Sequence, residues 1–180
     1  MNFTLPFGNI TKGELVTELA KNDLGKLAKA TVSCVHFPLR ETFGKQCGVC
    51  PACLFRRQAM LIAGIDDAAD AYRFDLFTGC RELKEATARH LRFLKAYLMQ
   101  VRELQDVRPG KPLPDRVLQH LVGTNIIKQS DATSPSIELL SRYRDQWMQV
   151  VREAESNGYS WTKMIGPSGP SKEGVSHASA

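Results

Sequence analysis

The chain has 180 residues, 43% of them hydrophobic and 24% charged, with a net charge of +5. That length suits one domain with a real core, or a small domain plus an appendage. The mild basic excess permits an anionic partner without demanding one, and no apolar run approaches the roughly 20 residues of a membrane span.

The start, MNFTLPFGNITKGEL, has neither a basic n-region nor an apolar h-region, so it does not read as a signal peptide. The expected compartment is the cytoplasm, with reduced cysteines free to bind metal. Residues 1–10 carry Phe3, Leu5 and Phe7, broken by Pro6 and Gly8, the pattern of a strand end or loop. Thr11 and Glu14 have the spacing of a capping box, and Leu15, Val16, Leu19 and Ala20 follow at helical spacing. A helix is therefore predicted over about 12–21, stopped by Asn22 and Asp23. A segment over 24–30 leads on to a loop over 35–46 that contains Pro38 and Gly44.

From Pro51 the pattern turns helical, with Leu54, Ala59, Met60, Ile62 and Ala63 on an apolar surface and Gly64 as the C′ residue. An acidic link follows, Asp66-Asp67-Ala68-Ala69-Asp70. Over about 80–106 one stripe runs through Leu83, Ala86, His90, Leu91, Leu94, Tyr97, Leu98, Val101 and Leu104. Prolines at 109, 112 and 114 break it. A short helix is predicted over about 115–122, ended by Gly123. A long one is predicted over about 135–156, with Ser134 as N-cap and Pro135 at N1. Its stripe holds Ile137, Leu140, Tyr143, Trp147, Val150, Val151 and Ala154. The Gly/Ser/Pro-rich end, from Gly166, is expected to be a disordered tail.

The chemistry is concentrated in one stretch. Cys47, Cys50 and Cys53 form a C-x₂-C-x₂-C run, and Cys34 lies thirteen positions earlier. Four thiolates supply a closed tetrahedral shell for Zn²⁺. An iron–sulfur cluster is the rival, although Arg57 stands where the ferredoxin run would place its fourth cysteine. A closed shell has no open position for chemistry, so its expected role is to pin the loop to the helix that follows. Arg40, Lys45, Arg56 and Arg57 are near enough in sequence to offset the thiolate charge. Cys53 falls in a first helical turn, whose free N–H groups favour a thiolate. His36 could replace a cysteine, but the shell is already full. Cys80 reads as a packed or incidental thiol, His90 as a packed histidine, His120 as a helix-end dipole contact, and His177 falls in the tail. Asp66, Asp67 and Asp70 read as a helix-start acidic cluster, with cation binding as the alternative. No catalytic residue stands out: there is no Ser–His–Asp, H-E-x-x-H or paired-carboxylate spacing, and no phosphate-binding glycine loop.

Several pieces, in order, carry a family resemblance. They are T-K-G-E-L at 11–15, S-C at 33–34, C-G-V-C-P-A-C at 47–53, Arg56, and A-G-I at 63–65 followed by acidic residues and Tyr72. Residues 11 to about 72 thus resemble the C-terminal part of the 7-cyano-7-deazaguanine synthases, which make a queuosine precursor. The resemblance implies zinc on Cys34, Cys47, Cys50 and Cys53. It also implies an α/β ATP pyrophosphatase-type (Rossmann-like) context, and conversion of 7-carboxy-7-deazaguanine to the nitrile with ATP and ammonia. The departures are specific. The S-G-G-x-D-S nucleotide loop does not occur in this sequence, and the loop between Cys34 and Cys47 is longer. The D-P-T-x-Y segment is altered to Asp67-Ala68-Ala69 with Tyr72 one position late, and residues 80–160 have no counterpart.

The expected fold is mainly α: a zinc-bearing C-terminal part over 1–75, a helical extension over 76–165 and a tail over 166–180. ATP enters only if an N-terminal half or partner protein completes the site. A homodimer and a small-molecule 7-deazapurine are implied by the resemblance, while a membrane or nucleic-acid partner is not expected. The other reading is a stand-alone zinc-stabilised helical interaction module, a setting that relatives in bacterial anti-phage operons suggest.

Overall fold

A computed structural model describes residues 7–38, 44–67, 69–77, 88–124, 135–159 and 161–162. Among the described residues the regular secondary structure is helical, apart from one isolated parallel bridge between Gln46 and Tyr72. Six α-helices follow in order: α1 Lys12–Lys21, α2 Gly25–Ala30, α3 Pro51–Ile62, α4 Ala88–Glu103, α5 Asp115–Gly123 and α6 Pro135–Ser156. A 3₁₀ turn, Ala69–Ala71, lies between α3 and α4.

The predicted ends hold closely. Thr11 caps α1 with a full capping box: its hydroxyl accepts from the Glu14 N–H at 3.1 Å, and the Thr11 N–H donates to Glu14 Oε2 at 2.7 Å. Asn22 is the C-cap. Pro51 opens α3, and Gly64 follows it with φ +65°, the left-handed C′ position that glycine takes without a Cβ penalty. Two boundaries differ: α4 ends at Glu103, short of the 106 expected, and Gly123 is the last residue of α5 with Thr124 as its cap, the Thr124 N–H donating to the His120 carbonyl. Phe3, Leu5, Arg40, Cys80, Leu83, Ala86, Ser134, His177 and the tail lie outside the described residues.

Helix α3 is the axis. Its sequence predicts one apolar surface, but α1 packs on one side and α4 and α6 on others. Arg56, Arg57 and Gln58 are therefore buried along with Leu54, Ala59 and Met60. Periodicity cannot show this, because burial of a charged residue depends on partners far away in sequence. On the α1 side, Val16, Ala28, Ala59 and Met60 form a small core. On the other side, Leu54 joins the larger core with Leu91, Leu94, Leu98 and Val101 of α4 and Trp147, Val150 and Val151 of α6. A third cluster, around Val107, Leu113, Val117 and Ile137, seats α5.

Aromatic rings fill the junction of α3, α4 and α6. Tyr97 stacks on Trp147 with centroids 5.3 Å apart, and Phe55 meets Tyr97 edge-on at 4.7 Å. The stripe aromatics of α4 and α6 therefore face one another across this junction. Trp147 is fully buried, so Trp147→Ala should lower the unfolding free energy by about 3–5 kcal/mol. Urea unfolding followed by circular dichroism measures this.

Candidate metal centre

The metal region is built from three short pieces of chain. The segment after α2 brings Cys34, the C-x₂-C turn brings Cys47 and Cys50, and the first turn of α3 brings Cys53. Gln46 aligns the first two. Its side chain accepts from the Ser33 N–H at 2.9 Å, which holds position 33 beside position 46 across the intervening loop. Its backbone pairs with the strand-like stretch behind it, accepting from Arg73 N–H at 2.8 Å and donating to the Ala71 carbonyl at 2.9 Å.

The four sulfurs converge. Each Sγ lies within 4.8 Å of the others, Cys47 and Cys53 are 3.9 Å apart, and all four cysteines are buried. A tetrahedral shell with Zn–S bonds of about 2.3 Å has sulfur–sulfur edges of about 3.8 Å. The spacing therefore fits a single tetrahedral ion. A multi-iron cluster needs its sulfurs spread around several metals, and this spacing is tight for one. His36 is exposed and stands outside the group. The cluster is the sole grouping of this kind among the described residues.

Backbone donors prepare the thiols for charge. The Cys47 N–H donates to Cys34 Sγ at 3.3 Å. Cys50 is the N-cap of α3, and its Sγ accepts from the Cys53 N–H at 3.4 Å. The Cys53 thiol beside Cys47 holds Cys47 well below the ordinary thiol range, helped by N–H donors at Val49 and Cys50. The same contact, and then burial, push Cys53 up. The Cys47–Cys53 pair thus shares a proton, and an incoming cation displaces protons from the thiols it binds.

Gly48 closes the turn. Its φ is +77°, and a Cβ there would lie 1.7 Å from the Phe74 carbonyl oxygen. Gly64 also has a positive φ, +65°, but nothing lies within 4 Å of its Cβ position. Gly48→Ala should therefore force the 71–74 backbone away and cost about 3 kcal/mol or more. Gly64→Ala should cost only the left-handed strain of about 1 kcal/mol. Thermal melts of the two variants make the comparison.

Arg56 and Arg57, expected to offset the thiolate charge, are paired with carboxylates. Arg56 bridges Asp67 with Nη2–Oδ1 at 3.1 Å and donates from Nε to the Tyr72 hydroxyl at 2.9 Å. Arg57 pairs with Asp75 at 2.8 Å and lies over the Tyr72 ring, 5.0 Å from its centroid. Tyr72 donates its hydroxyl to Asp67 Oδ2 at 2.5 Å. Burial first, and then Asp67, push the Tyr72 pKa up. Asp67 is thus neither a helix-start charge nor a cation ligand; it is the shared partner of two buried arginines and a tyrosine. Asp66 and Asp70 remain exposed. The altered segment still brings its aspartate and tyrosine together, which linear spacing does not reveal. Asp67→Asn takes the carboxylate from buried Arg56, while Arg57 keeps Asp75, and should cost about 3–5 kcal/mol. Urea denaturation reads the loss.

Beside this network lies a cavity of about 90 Å³ lined by Lys12, Val16, Leu19, Ala28, Thr31, Ser33, Arg56 and Met60. Burial, and then the Arg56 charge, lower the Lys12 pKa, while Cys53 acts in the opposite sense. Arg56 enters the cavity already bound to Thr31 Oγ1 and the Lys29 carbonyl. The open lining is almost entirely apolar, and the Arg56 guanidinium is taken up by its partners Asp67, Tyr72, Thr31 and the Lys29 carbonyl. The sequence signals available in advance were the lysine of T-K-G-E and Arg56.

The comparisons with known proteins bear on this same segment. Residues 1–64 match the family described as "Queuosine biosynthesis protein QueC". No curated protein and no solved structure matches the chain. All four clustered cysteines, Lys12 and Arg56 fall inside the matched residues, so over this segment the chain is similar to the QueC family.

Proposed function

We propose that this chain is the zinc-bearing C-terminal portion of a 7-cyano-7-deazaguanine synthase-like protein. In this reading Cys34, Cys47, Cys50 and Cys53 hold one Zn²⁺ in a closed, structural site. The observation that carries it is the convergence of four buried sulfurs within 4.8 Å, inside the residues that match the QueC family. The ion, when bound, supplies rigidity and no reaction step, because four protein ligands leave no position open.

The reaction in this reading is ATP-dependent conversion of 7-carboxy-7-deazaguanine to the nitrile. The nucleotide loop would come from a segment or partner with the S-G-G-x-D-S pattern, completing an α/β ATP pyrophosphatase-type fold.

The alternative, a zinc-stabilised interaction module, draws support from the exposed apolar side chains in the matched segment. Phe7, Leu27, Val35 and Phe37 are each 60% exposed or more. Both readings place a partner against this segment; only the first requires that partner to bind ATP.

Elemental analysis of the purified chain should find about one zinc per chain. The metal should be lost on acidification, because each departing thiolate takes up a proton and binding weakens as pH falls. Cys50→Ser should lower zinc content and the melting temperature far more than Cys80→Ser. Iron with sulfide in place of zinc, or equal losses from both substitutions, would overturn the ligand set. For the reaction, nitrile formation is expected only when a protein carrying the nucleotide loop is added. Tight binding to a partner without any turnover would favour the interaction module.

A further inference from the structure

We propose that Arg56 and Gln46 are positioning residues for the metal: they pin the arm over residues 29–33, so that Cys34 already stands beside the other three sulfurs when the ion arrives. The proposal rests on the reading of the four cysteines as a zinc site.

Three of the sulfurs need no help from a distance. Cys47, Cys50 and Cys53 belong to one turn and the helix start that follows it, so local backbone geometry sets their separations. Cys34 lies 13 residues before Cys47, on an arm with little apolar packing of its own. Thr31, Val32 and Val35 are exposed, and Ser33 is half-buried. Ordering such an arm costs backbone entropy that apolar burial does not offset, so the work falls to polar contacts.

Arg56 supplies the first of these. Its buried guanidinium donates from Nη1 to Thr31 Oγ1 and from Nη2 to the Lys29 carbonyl at 3.1 Å. The single Thr31 hydroxyl proton goes to the Ala28 carbonyl at 2.8 Å, which leaves a lone pair for Arg56. Gln46 supplies the second, its Oε1 accepting from the Ser33 N–H at 2.9 Å. Contacts at positions 29, 31 and 33 thus lead along the arm to Cys34, whose Sγ takes the Cys47 N–H.

Both residues lean on one support. Arg56 donates from Nε to the Tyr72 hydroxyl and from Nη2 to Asp67. The Gln46 backbone pairs with Ala71 and Arg73. Tyr72 itself packs among the four cysteines. The chain over 67–73 therefore places the remote sulfur through two side chains that are not ligands. A guanidinium suits the task, because its forked donors grip two segments at once. An arm ordered in advance lowers the cost that metal binding must offset.

Arg56 also holds Asp67, so the test acts on its acceptor in the arm. Thr31→Val and Gln46→Met each remove one contact and nearly keep side-chain size. In the zinc-loaded full chain, iodoacetamide alkylation read cysteine by cysteine by mass spectrometry should find all four clustered cysteines protected. In each variant Cys34 alone should react about tenfold faster or more, and zinc affinity, measured against a competing chelator, should fall about tenfold or more. Thr31→Ser keeps the hydroxyl and should keep Cys34 protected. Trp147→Ala loosens the main core without touching the arm and should not single out Cys34. Thr31 is exposed, so Thr31→Val carries the test even where Gln46→Met fails to fold. Equal acceleration at all four cysteines, or no change at any, overturns the part of Arg56 when seen in Thr31→Val and the part of Gln46 when seen in Gln46→Met. Loss of protection in Thr31→Ser, or selective exposure of Cys34 in Trp147→Ala, also counts against positioning by these contacts. An unsubstituted chain that retains no zinc, or whose zinc leaves Cys34 open to alkylation, would overturn the four-cysteine reading and the positioning with it.

Discussion

Four sulfurs that arrive from separate pieces of chain must meet within one small sphere, and most of the matched segment is arranged to satisfy that constraint. Cys34 returns across a loop to Cys47, aligned by the Gln46 side chain on the Ser33 N–H. Cys50 sits where a helix needs an N-cap, and Cys53 one turn inside. The thiols thus perform two tasks at once: they form a cation shell, and they satisfy N–H groups that a helix start leaves open. Removing one thiol disturbs both.

The buried charges behind the cluster follow a different logic. Asp67, Asp75, Arg56, Arg57 and Tyr72 form a network in which each arginine has a carboxylate within 3.1 Å. Such a network contributes little net stability compared with a well-packed apolar core, but losing one member is costly. Its position suggests what it specifies: Asp67, Tyr72 and Asp75 come from the chain after α3, and both arginines from α3 itself. The pairs therefore fix how that chain runs back along the helix, as the Gln46–Tyr72 bridge does on its other side.

Much of the local structure was legible in the sequence. The capping box at Thr11, the proline start of α3, the glycine after it and the long stripe of α6 all rest on residues a few positions apart, and they appear where the spacing puts them. The candidate metal residues were legible for the same reason, since three of the four cysteines lie within seven positions. What spacing could not show was long-range partnership. Arg56 and Arg57 read as counter-charges for the thiols because they are close to them in sequence; the aspartates that bind them lie 10 to 18 residues on, in a segment whose changed spacing disguised it. Likewise Gln146 looks like an ordinary polar position on a helix. Its hydrogen bond to the Thr11 hydroxyl, 135 residues away, becomes visible only in the fold.

The tight seat of Gly48 on the Phe74 carbonyl has a consequence for kinetics. The stretch that covers the cysteine turn continues directly into Leu76 and Phe77, which are buried with Trp147 and Trp161 in the main core. This strap cannot lift from the cysteine turn without drawing those side chains out of the core, so metal exchange along this route would be timed by opening of the helical core.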